Sequence, residues 1–359
     1  MSRYAEAMNV SEQNNPEQTN SAPNTSNTLY DCLVIGAGVA GLRAARSLQA
    51  AGQHVAVLDK SRGVGGRAAT RRYSYQDHVH PIDHGTQYFT VRDERFAEQV
   101  TQWQEQGEVR VWAHGFAHYS AAQGWQNPGA GHPRYIFPEG MNRIGKLLAE
   151  GLRVYTQQQV QALWHDAARG CYVAESAQGQ RFYGRRVLLN MPPAQLLALC
   201  ADRPYGAGLA ETLQGVRMAP CFALMAGYSG YEPAWQGVVL EHPILAWLAN
   251  DSSKRPQEST QRVIVMHAQA EFSEMWLERP PETVSSTMLE AAASIDPVLG
   301  EPDWQQLQRW RYALASQPYP ERYLQLSEAI YACGDWCGGS KLEDAYLSGL
   351  AVAEAIMGN

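Results

Sequence analysis

Three glycines at fixed spacing and one later acid are the residues from which chemistry can first be inferred in this 359-residue chain. Gly36, Gly38 and Gly41 stand in "VIGAGVAGL", and Asp59 ends the apolar run "HVAVLD". In such a pattern the first glycine permits a tight turn, the second lets a pyrophosphate approach the backbone, and the third allows a helix to pack against a strand. The acid accepts hydrogen bonds from ribose hydroxyls. The spacing therefore predicts a dinucleotide site.

A second glycine run follows closely, in "DKSRGVGGRAATRR". Gly63, Gly65 and Gly66 can offer backbone N–H groups without side-chain obstruction, and Arg67 can neutralise a phosphate. This run resembles the extended fingerprint of FAD-binding oxidoreductases of the glutathione-reductase superclass, in which a GGR segment follows the ribose acid. The resemblance implies non-covalent FAD as the cofactor, a ligand longer than the half-site of NAD requires.

A strand, a helix and a second strand must position the first glycines. The apolar run 32–35 predicts a strand, and apolar residues at helical spacing over 44–51, closed by Gly52, predict a helix. The run "HVAVLD" predicts the second strand. Together they form a βαβ unit that presents phosphates to the positive end of the helix dipole.

The C-terminal segment "AIYACGDWCGGSKLEDAYLSGLAVAEAI" predicts a strand, a turn at Gly334 and Asp335, and a helix from about Leu342. The same resemblance implies that Asp335 hydrogen-bonds the ribityl chain or a phosphate-side hydroxyl. It also implies that the helix N-terminus faces the pyrimidine end of the flavin. Glu343 either contacts the cofactor or, with Asp344, stabilises the helix N-terminus.

Two central segments complete the predicted cofactor site. "YIFPEGMNRIGKLLAEGLRVYTQQQVQAL" resembles the Gly-Met helix and strand of such enzymes, which would bring Val160 close to the adenine. "RRVLLNMPPAQLLAL" stands where relatives carry an Ala-Thr-Pro turn, but here the turn is Asn190-Met191-Pro192. The predicted cofactor contacts are Gly36, Gly38, Val39, Ala40, Gly41, Asp59, Lys60, Gly66, Arg67, Val160, Gly334, Asp335, Leu342 and Glu343.

Composition excludes several classes of protein. The chain is 45% hydrophobic and 18% charged, and its net charge of -7 shows no footprint for nucleic acid or an anionic membrane. The 6 cysteines are scattered without a CxxC pair, and no apolar run is long enough to cross a bilayer. Residues 1–29 are polar and are expected to be a disordered tail. We expect a cytoplasmic protein that is monomeric or weakly homo-oligomeric.

The predicted fold class is α/β: a Rossmann-like FAD-binding domain with an inserted α+β substrate domain built on an antiparallel sheet. The FAD-binding domain would comprise 30–86, 136–198 and 313–359, and the substrate domain 87–135 and 199–312. The segments "CFALMAGYSG", "GVVLEHPILAWLAND" and "RVIVMHAQAEF" predict strands of that sheet, and "PPETVSSTMLEAAASI" predicts a helix. The active site would lie between the two domains.

From residue 30 onward the chain resembles the renalase family, distant members of the flavin-containing amine oxidase group. The motifs that carry this resemblance are "DKSRGVGGR", "DHGTQYFTVRDERF", "LAWLANDSSKRP", "MHAQAEFS", "QRWRYA" and "YACGDWCGGSKLEDAYLSG". The resemblance implies an FAD oxidase that takes a hydride from 2- or 6-dihydro isomers of NAD(P)H. The products would be NAD(P)+ and, from O2 as electron acceptor, hydrogen peroxide.

This chemistry asks the protein for stacking and orientation, because flavin N5 carries the hydride and no catalytic side chain is required. Aromatic residues could flank a planar dihydropyridine, while His267 or Asn250 could hydrogen-bond a carboxamide. Each aromatic candidate could equally be a core residue, and Arg309 and Arg311 could pair with substrate phosphates or be surface residues. The pocket candidates are Gln87, Tyr88, Phe89, Trp247, Asn250, His267, Trp310 and Tyr312.

Other chemistries fit the sequence less well. His78, His80 and His84 in "HVHPIDHG" match no structural zinc spacing, so no metal is predicted, and no GxSxG motif is present. A true amine oxidase remains an alternative, although no lysine lies in an obvious pocket strand. A non-enzymatic FAD-binding redox sensor and a flavin monooxygenase using NADPH are further alternatives. Cys337 is a conceivable flavin attachment point, but a packed thiol is the simpler interpretation.

Overall fold

The computed structural model describes residues 28–127, 129, 131–256 and 260–358, so most of the predicted tail lies outside the described residues. In chain order the first elements are β1 (Leu29–Ile35), α1 (Val39–Ala50), β2 (Val55–Leu58), β3 (Thr70–Tyr75), β4 (His78–Asp83), α2 (Glu94–Glu105), β5 (Arg110–Ala113), β6 (Ala117–Ser120), β7 (Gly124–Gln126), β8 (Arg134–Ile136), α3 (Arg143–Ala149), β9 (Arg153–Tyr155), β10 (Val160–Asp166), β11 (Cys171–Ser176) and β12 (Arg181–Leu189).

The remaining elements are α4 (Pro193–Cys200), α5 (Leu209–Thr212), β13 (Arg217–Ser229), β14 (Gly237–Glu241), β15 (Leu245–Asn250), β16 (Gln261–Ala268), α6 (Ala270–Met275), α7 (Pro281–Ala293), β17 (Trp304–Gln317), β18 (Leu324–Gln325), β19 (Ile330–Ala332) and α8 (Leu342–Gly358). Short 3-10 turns cover Pro204–Gly206, Asp251–Lys254 and Pro297–Gly300.

The first sheet has β1 at its centre, parallel to β2 on one side and to β12 on the other. β9 extends it beyond β2, while β12 pairs antiparallel with β11 through its first half and parallel with β19 through its second. The last four residues of β1 and all of β2 are buried, as expected for parallel strands covered on both faces. The predicted βαβ unit is confirmed.

Helix α8 returns the C-terminus to the start of the fold by packing along α1. The two backbones approach so closely at Gly349 that a Cβ there would collide with the carbonyl oxygen of Ala40. Glycine is therefore required at this crossing. The contact brings the N-terminal part of α8 into the neighbourhood of the first glycine turn.

The second sheet has the strand order β17-β13-β16-β15-β14-β6-β7, and only its β14–β6 pair is parallel. One face carries Phe222, Ile264 and Met266 and packs with α7 in a separate apolar cluster. The opposite face carries Met225 and Val265 and joins the core that also contains α1 and α8. The predicted antiparallel strands and the helix at 281–293 are confirmed.

Two elements cross the predicted division between domains. β17 pairs with β13 from Trp304 to Gln317, across the predicted boundary at residue 312. Phe96 of α2, predicted in the substrate domain, packs against Tyr346 of α8, with ring centres 4.9 Å apart. Among the described residues, no helix is both long and apolar enough to cross a membrane.

Candidate active site

The first glycine turn connects β1 to α1 and leaves the start of the helix open. Gly36 adopts φ +110°, and a Cβ there would collide with the carbonyl oxygen of Asn190. Asn190 also donates from Nδ2 to the Gly36 carbonyl over 3.1 Å. Gly38 is the N-cap of α1 and has no side chain to accept from the first-turn amides. Those amides point toward any anion placed at the turn.

The second glycine run lies directly against the first. The Gly65 amide donates to the Ala37 carbonyl over 2.8 Å, and Gly38 and Gly65 form an isolated β-bridge. A Cβ on Gly66 would lie 3.2 Å from the Gly38 Cα, so neither backbone could approach as closely with a side chain present. The two runs, separate in sequence, therefore form one glycine-lined cradle.

Asp59 organises the edge of this cradle. Its Oδ2 accepts from the Ala37 amide over 2.6 Å, and its Oδ1 accepts from the Ser61 amide over 2.7 Å. The chain after β9 passes over the same residue, since the Gln158 amide donates to the Asp59 carbonyl over 2.7 Å. Val160 begins β10 two residues later. Its contact with an adenine stays a prediction, as does the ribose contact of Asp59.

Arg67 and Asp335 connect the two ends of the cradle. The guanidinium Nη2 lies 2.6 Å from Asp335 Oδ1, and Nη1 donates to the carbonyls of Tyr312 and Ala313 over 3.2 and 3.3 Å. Burial raises the pKa of the Asp335 carboxyl, and the neighbouring Arg67 opposes that rise. Both residues were predicted at the cofactor. Lys60 instead reaches Gln195 Oε1, 3.5 Å away, at the surface.

Glu343 lies in the first turn of α8 and binds backbone amides, while its predicted contact with the cofactor stays a prediction. Its Oε1 accepts from the backbone amides of Arg92 and Asp93 over 2.7 and 2.8 Å, which ties α8 to the start of α2. The neighbouring Asp344 accepts from the Ser340 and Lys341 amides, both over 3.0 Å, and so stabilises the first turn of α8. Asp344 therefore caps the N-terminus of α8, as one of the two alternatives predicted. The carboxylate of Glu343 accepts hydrogen bonds from the backbone that precedes α2.

Leu342 and Gly334 lie on either side of the loop that precedes α8. The Leu342 side chain belongs to the apolar core shared with α1, and the Gly334 amide donates to Ser348 Oγ over 3.1 Å. Between them, Cys337 is buried, and burial raises its pKa well above the usual value for a thiol. A thiolate is disfavoured there, and the thiol packs in an apolar cluster with Trp336 and Leu189. Non-covalent binding of the flavin stays a prediction.

The face of the second sheet that joins the core of α1 and α8 carries a row of candidate pocket residues. His267 of β16 pairs with Ala223 of β13 on one side and with Trp247 of β15 on the other. On the next strand, Gln308 faces Ala223, and Trp310 follows two residues later on the same face of β17. His267, Trp247 and Trp310, predicted from different segments, therefore share one face of this sheet.

The imidazole of His267 is neutral at physiological pH. Burial is the main cause, and the positive charge of Lys254 adds to it, so that the pKa falls to about 4. Gln87 Nε2 lies 3.5 Å from His267 Nε2, which brings this predicted residue to the pocket as well. The same Gln87 amide donates to the carbonyls of Asp83 and Gly85.

A buried ionic network lies behind Gln87, and sequence reasoning missed it. Lys254 is completely buried, and its ammonium lies 2.9 Å from Asp251 Oδ1, 3.1 Å from Gln87 Oε1 and 3.4 Å from Asp83 Oδ2. Arg255 binds the same two acids at 2.7 and 2.8 Å. Burial acts to raise the pKa of Asp83, but Lys254 and Arg255 outweigh it and hold that pKa low.

Asp83 is the acid at the centre of this network, bound by both Lys254 and Arg255. Its side chain is fully buried at the end of β4, and its carboxylate also accepts from Thr70 Oγ1 and the Met141 amide. The sequence did contain a signal for this network, since four charged residues stand next to apolar strands: Asp83, Asp251, Lys254 and Arg255. Charged residues at such positions are rarely buried without partners.

Tyr88 and Trp247 belong to one aromatic group, whereas Phe89 does not line the pocket. The Tyr88 ring centre lies 4.9 Å from that of Phe116 and 5.8 Å from that of Trp247. Phe89 points the other way and packs in the core against Phe96 and Phe137. The prediction for Phe89 was wrong because adjacent residues of an extended segment face opposite sides.

The candidate residues of β17 also point to opposite faces of their strand. The Trp310 ring stacks on His84 at 5.4 Å, and its Nε1 donates to the His84 carbonyl over 3.0 Å. Arg309 and Arg311 lie on the outer face, where both pair with Glu278 at 3.3 and 2.6 Å. The alternative that these arginines are surface residues is therefore the one the structure supports. Tyr312 is half-buried and meets Arg67 through its backbone carbonyl.

Buried polar atoms on the pocket face of the second sheet and next to it have no hydrogen-bond partner within the described residues. They include Trp247 Nε1 and His84 Nδ1. Asn250 Oδ1 is unpartnered as well, but Asn250 pairs with Ile264, which lies on the face of the sheet that packs with α7, so the structure does not bring this predicted residue to the pocket. Orphaned buried groups are uncommon in folded proteins and mark places where a ligand can complete the hydrogen bonding. His78 and His80 lie apart, with ring centres 6.4 Å from one another, and the described part of the chain contains no group of three side chains suited to a metal.

A Rossmann-like glycine cradle beside a second, mostly antiparallel sheet defines the class: a flavin-dependent oxidoreductase. Residues 34–102 match the NAD(P)-binding Rossmann-like domain model, and residues 114–357 match the model of flavin containing amine oxidoreductases. The second match covers more than half of the chain. The protein therefore belongs to the flavin-containing amine oxidoreductase family, and the prediction of an FAD-dependent oxidoreductase is confirmed.

Solved structures of low sequence identity share the fold. Putrescine oxidase bound to putrescine superposes with a TM-score of 0.70 at 16% identity, covering 92% of this chain and 100% of that one. A putative protoporphyrinogen oxidase from Exiguobacterium sp. 255-15 has a TM-score of 0.71 at 12% identity, covering 92% and 99%. Cyclohexylamine oxidase from Brevibacterium oxydans IH-35A has a TM-score of 0.69 at 13% identity, covering 91% and 98%. The predicted fold class is confirmed.

Proposed function

We propose that the protein is an FAD-dependent oxidase of isomeric dihydronicotinamide dinucleotides, those reduced at ring position 2 or 6. The products are NAD(P)+ and hydrogen peroxide. FAD, when bound, supplies the hydride acceptor and transfers the electrons to O2. The glycine cradle fits a dinucleotide cofactor, because the uncapped N-terminus of α1 and the side-chain-free approach at Gly38 and Gly66 leave backbone amides for a pyrophosphate.

The observation that carries the proposal is the uncharged row on the second sheet. His267 is neutral, because its pKa is about 4, and it lies between the strand of Trp247 and the strands that carry Ala223 and Trp310. A dihydropyridine needs no base to lose a hydride, since it becomes an aromatic pyridinium. Flat, neutral walls that stack and orient the ring are what this reaction requires of the protein.

One orphaned polar atom matches the carboxamide of such a substrate. Trp247 Nε1 is a donor and would satisfy the carboxamide oxygen. Filling it would remove the cost of one buried unpaired group, about 1–3 kcal/mol. Binding would therefore favour a planar ring that carries an amide over one that carries an alkyl group.

Product analysis tests this proposal. The holoenzyme, incubated in air with each dihydro isomer, is expected to release NAD(P)+ and hydrogen peroxide in equal amounts, as followed by chromatography and a peroxide assay. Ordinary NADPH is the matched control, because it carries the same carboxamide, ribose and diphosphate. Consumption of NADPH at a comparable rate would point to a monooxygenase or general NADPH oxidase instead.

An amine oxidase is the second candidate, and family membership together with the buried Lys254 favours it. In many amine oxidases a lysine reaches the flavin through a water. Here the three ammonium hydrogens of Lys254 already face three acceptors, on Asp251, Gln87 and Asp83. A water-bridged role would require one of these bonds to break, which is why we rank amines second.

A further inference from the structure

Arg134 stands beside the aromatic group of the pocket, and no acid among the described residues neutralises it. Its guanidinium carbon lies 5.7 Å from the Tyr88 ring centre and 5.9 Å from that of Phe116. Its Nη1 donates to the His132 carbonyl over 2.9 Å, while its Nε is buried and has no acceptor. Within the described residues, Arg134 forms no ion pair.

Arg181, which also lies over an aromatic ring, shows by comparison how Arg134 is unusual. Arg181 lies 5.6 Å above Trp164, but its Nε is also 2.7 Å from Glu175 Oε2, so its charge is balanced. Arg134 has the ring contacts and lacks the carboxylate. Its planar fork of N–H donors keeps capacity for an anion, and phosphate is the anion whose geometry it matches with two parallel hydrogen bonds.

The position of Arg134 suits a substrate that extends out of the pocket. Tyr88, under the guanidinium, is 5.8 Å from Trp247, and Trp247 pairs with His267 across the sheet. A ring held at His267 and Trp247 would thus have its attached groups directed past Tyr88 to the arginine. Ala113 pairs with Arg134 in the β5–β8 ladder and fixes the backbone of this arginine.

We propose that Arg134 binds a phosphate of the substrate and selects phosphorylated dihydronicotinamides over those that lack phosphate. This inference rests on the proposed function, since it assigns the anionic part of the same substrate. It also disfavours amines, because an alkylammonium ion would approach an unneutralised guanidinium. Arg134 is on this account a substrate-binding residue that does not touch the reacting atoms.

The test compares two substrates with the same reacting ring. A dihydro isomer of NAD carries a diphosphate, and the corresponding dihydronicotinamide riboside carries none. We expect Arg134→Gln to lower kcat/KM for the dinucleotide by about 10- to 100-fold, mainly through KM, and to leave the riboside unchanged. Arg134→Lys keeps the charge and should recover part of the loss. Arg181→Gln, the matched control, should change neither substrate.

Equal losses with both substrates in Arg134→Gln would overturn the proposal, because they would mean that the arginine only supports the pocket. A binding measurement separates this result from failure of the proposed function. Calorimetry of the wild-type holoenzyme should show tighter binding of ADP-ribose than of adenosine, and Arg134→Gln should remove that preference. Absence of the preference in the wild type overturns the anion site even where dihydro-NAD is oxidised. A preference in an enzyme inert toward all dihydronicotinamides supports the anion site and rejects the proposed substrate.

Discussion

Two imidazoles at the candidate pocket are neutral because the fold excludes water from them. Burial is the largest cause at both sites and lowers the pKa of His84 and of His267 to about 4. Positive charge adds to it, from Arg71 at His84 and from Lys254 at His267. A pyridinium product would therefore form beside uncharged rings above that pH, without charge repulsion.

These low pKa values make stability depend on pH in a defined window. An unfolded histidine takes up a proton near pH 6.5, whereas folded His267 does so only near 4. As pH falls between these values the unfolded chain binds the extra proton, so the free energy of unfolding falls by up to about 1.4 kcal/mol per pH unit for each histidine. Above the window this contribution is constant.

Substitution isolates the contribution of one residue. Between pH 6.5 and 4, the free energy of unfolding measured in urea should depend less steeply on pH in His267→Gln than in the wild type, because one proton fewer is taken up on unfolding. The control is His165→Gln, a substitution at an exposed histidine, which should leave the slope unchanged. Parallel pH profiles for wild type and His267→Gln would show that the imidazole is not held neutral by the fold.

At the residue scale, the sequence was sufficient to predict the local structure around a residue where that structure follows from its neighbours in the chain. The turn at Gly36 and Gly38 and the strand that ends just before Asp59 are examples, because turn geometry and strand ends are local. Lys254 was missed because Asp83 and Gln87 come from a segment far from it in the chain and meet it only once β4 packs against the turn after β15.

At the scale of elements, the first glycine turn combines a strained backbone with a close packing contact, and a paired substitution separates the two. Gly36 has φ +110° with the Asn190 carbonyl in the space a Cβ would occupy, while Gly52 has φ +83° with nothing within 4 Å. Gly52→Ala should cost about 1–2 kcal/mol, the conformational strain alone. Gly36→Ala adds a collision and should cost roughly 3–5 kcal/mol in total.

Chemical unfolding of both variants in the presence and absence of excess FAD measures these costs. Gly36→Ala should also weaken flavin binding, since Asn190 and the turn can only separate by moving the start of α1. Equal losses of stability in the two variants would mean that the turn has room for a side chain, contrary to the structure.

Elements were predictable where their apolar pattern is regular. The strands β1, β2, β13 and β16 and the helices α1, α7 and α8 follow from runs and periodicity that burial explains. Alternation puts Tyr88 and Phe89 on opposite sides but does not say which side faces the pocket. That orientation, and the partners of Glu343, were not predictable, because Phe96 of α2 and the Arg92 amide just before α2 reach them only through the packing of α2 on α8.

At the scale of the whole molecule, the buried ionic network joins the second sheet to the separate β3–β4 hairpin. Lys254 and Arg255 follow β15 of the second sheet, and both bind Asp83 at the end of the β3–β4 hairpin. Lys254→Met keeps the length of the side chain but removes the donor to Asp251 Oδ1 and Gln87 Oε1, and it leaves Arg255 alone to balance the two buried carboxylates of Asp83 and Asp251. We expect a loss of roughly 3–5 kcal/mol in the free energy of unfolding, because the remaining charges stay buried.

Differential scanning calorimetry and urea unfolding would measure this loss, with the exposed Lys341→Met as the control for removing a positive charge. A loss below about 1 kcal/mol is what an exposed ion pair would give, and it would contradict the burial of Lys254.

The central claim concerns which molecule reduces the flavin, and anaerobic stopped-flow absorbance measures that step directly. The holoenzyme is mixed separately with 2- and 6-dihydro isomers of NAD(P), ordinary NADPH and a panel of amines. Bleaching of the flavin band within seconds by a dihydro isomer, with NADPH and amines inert, is the result we predict. Bleaching by amines alone would contradict the account in favour of an amine oxidase, and a flavin that none of them reduces would favour a redox sensor.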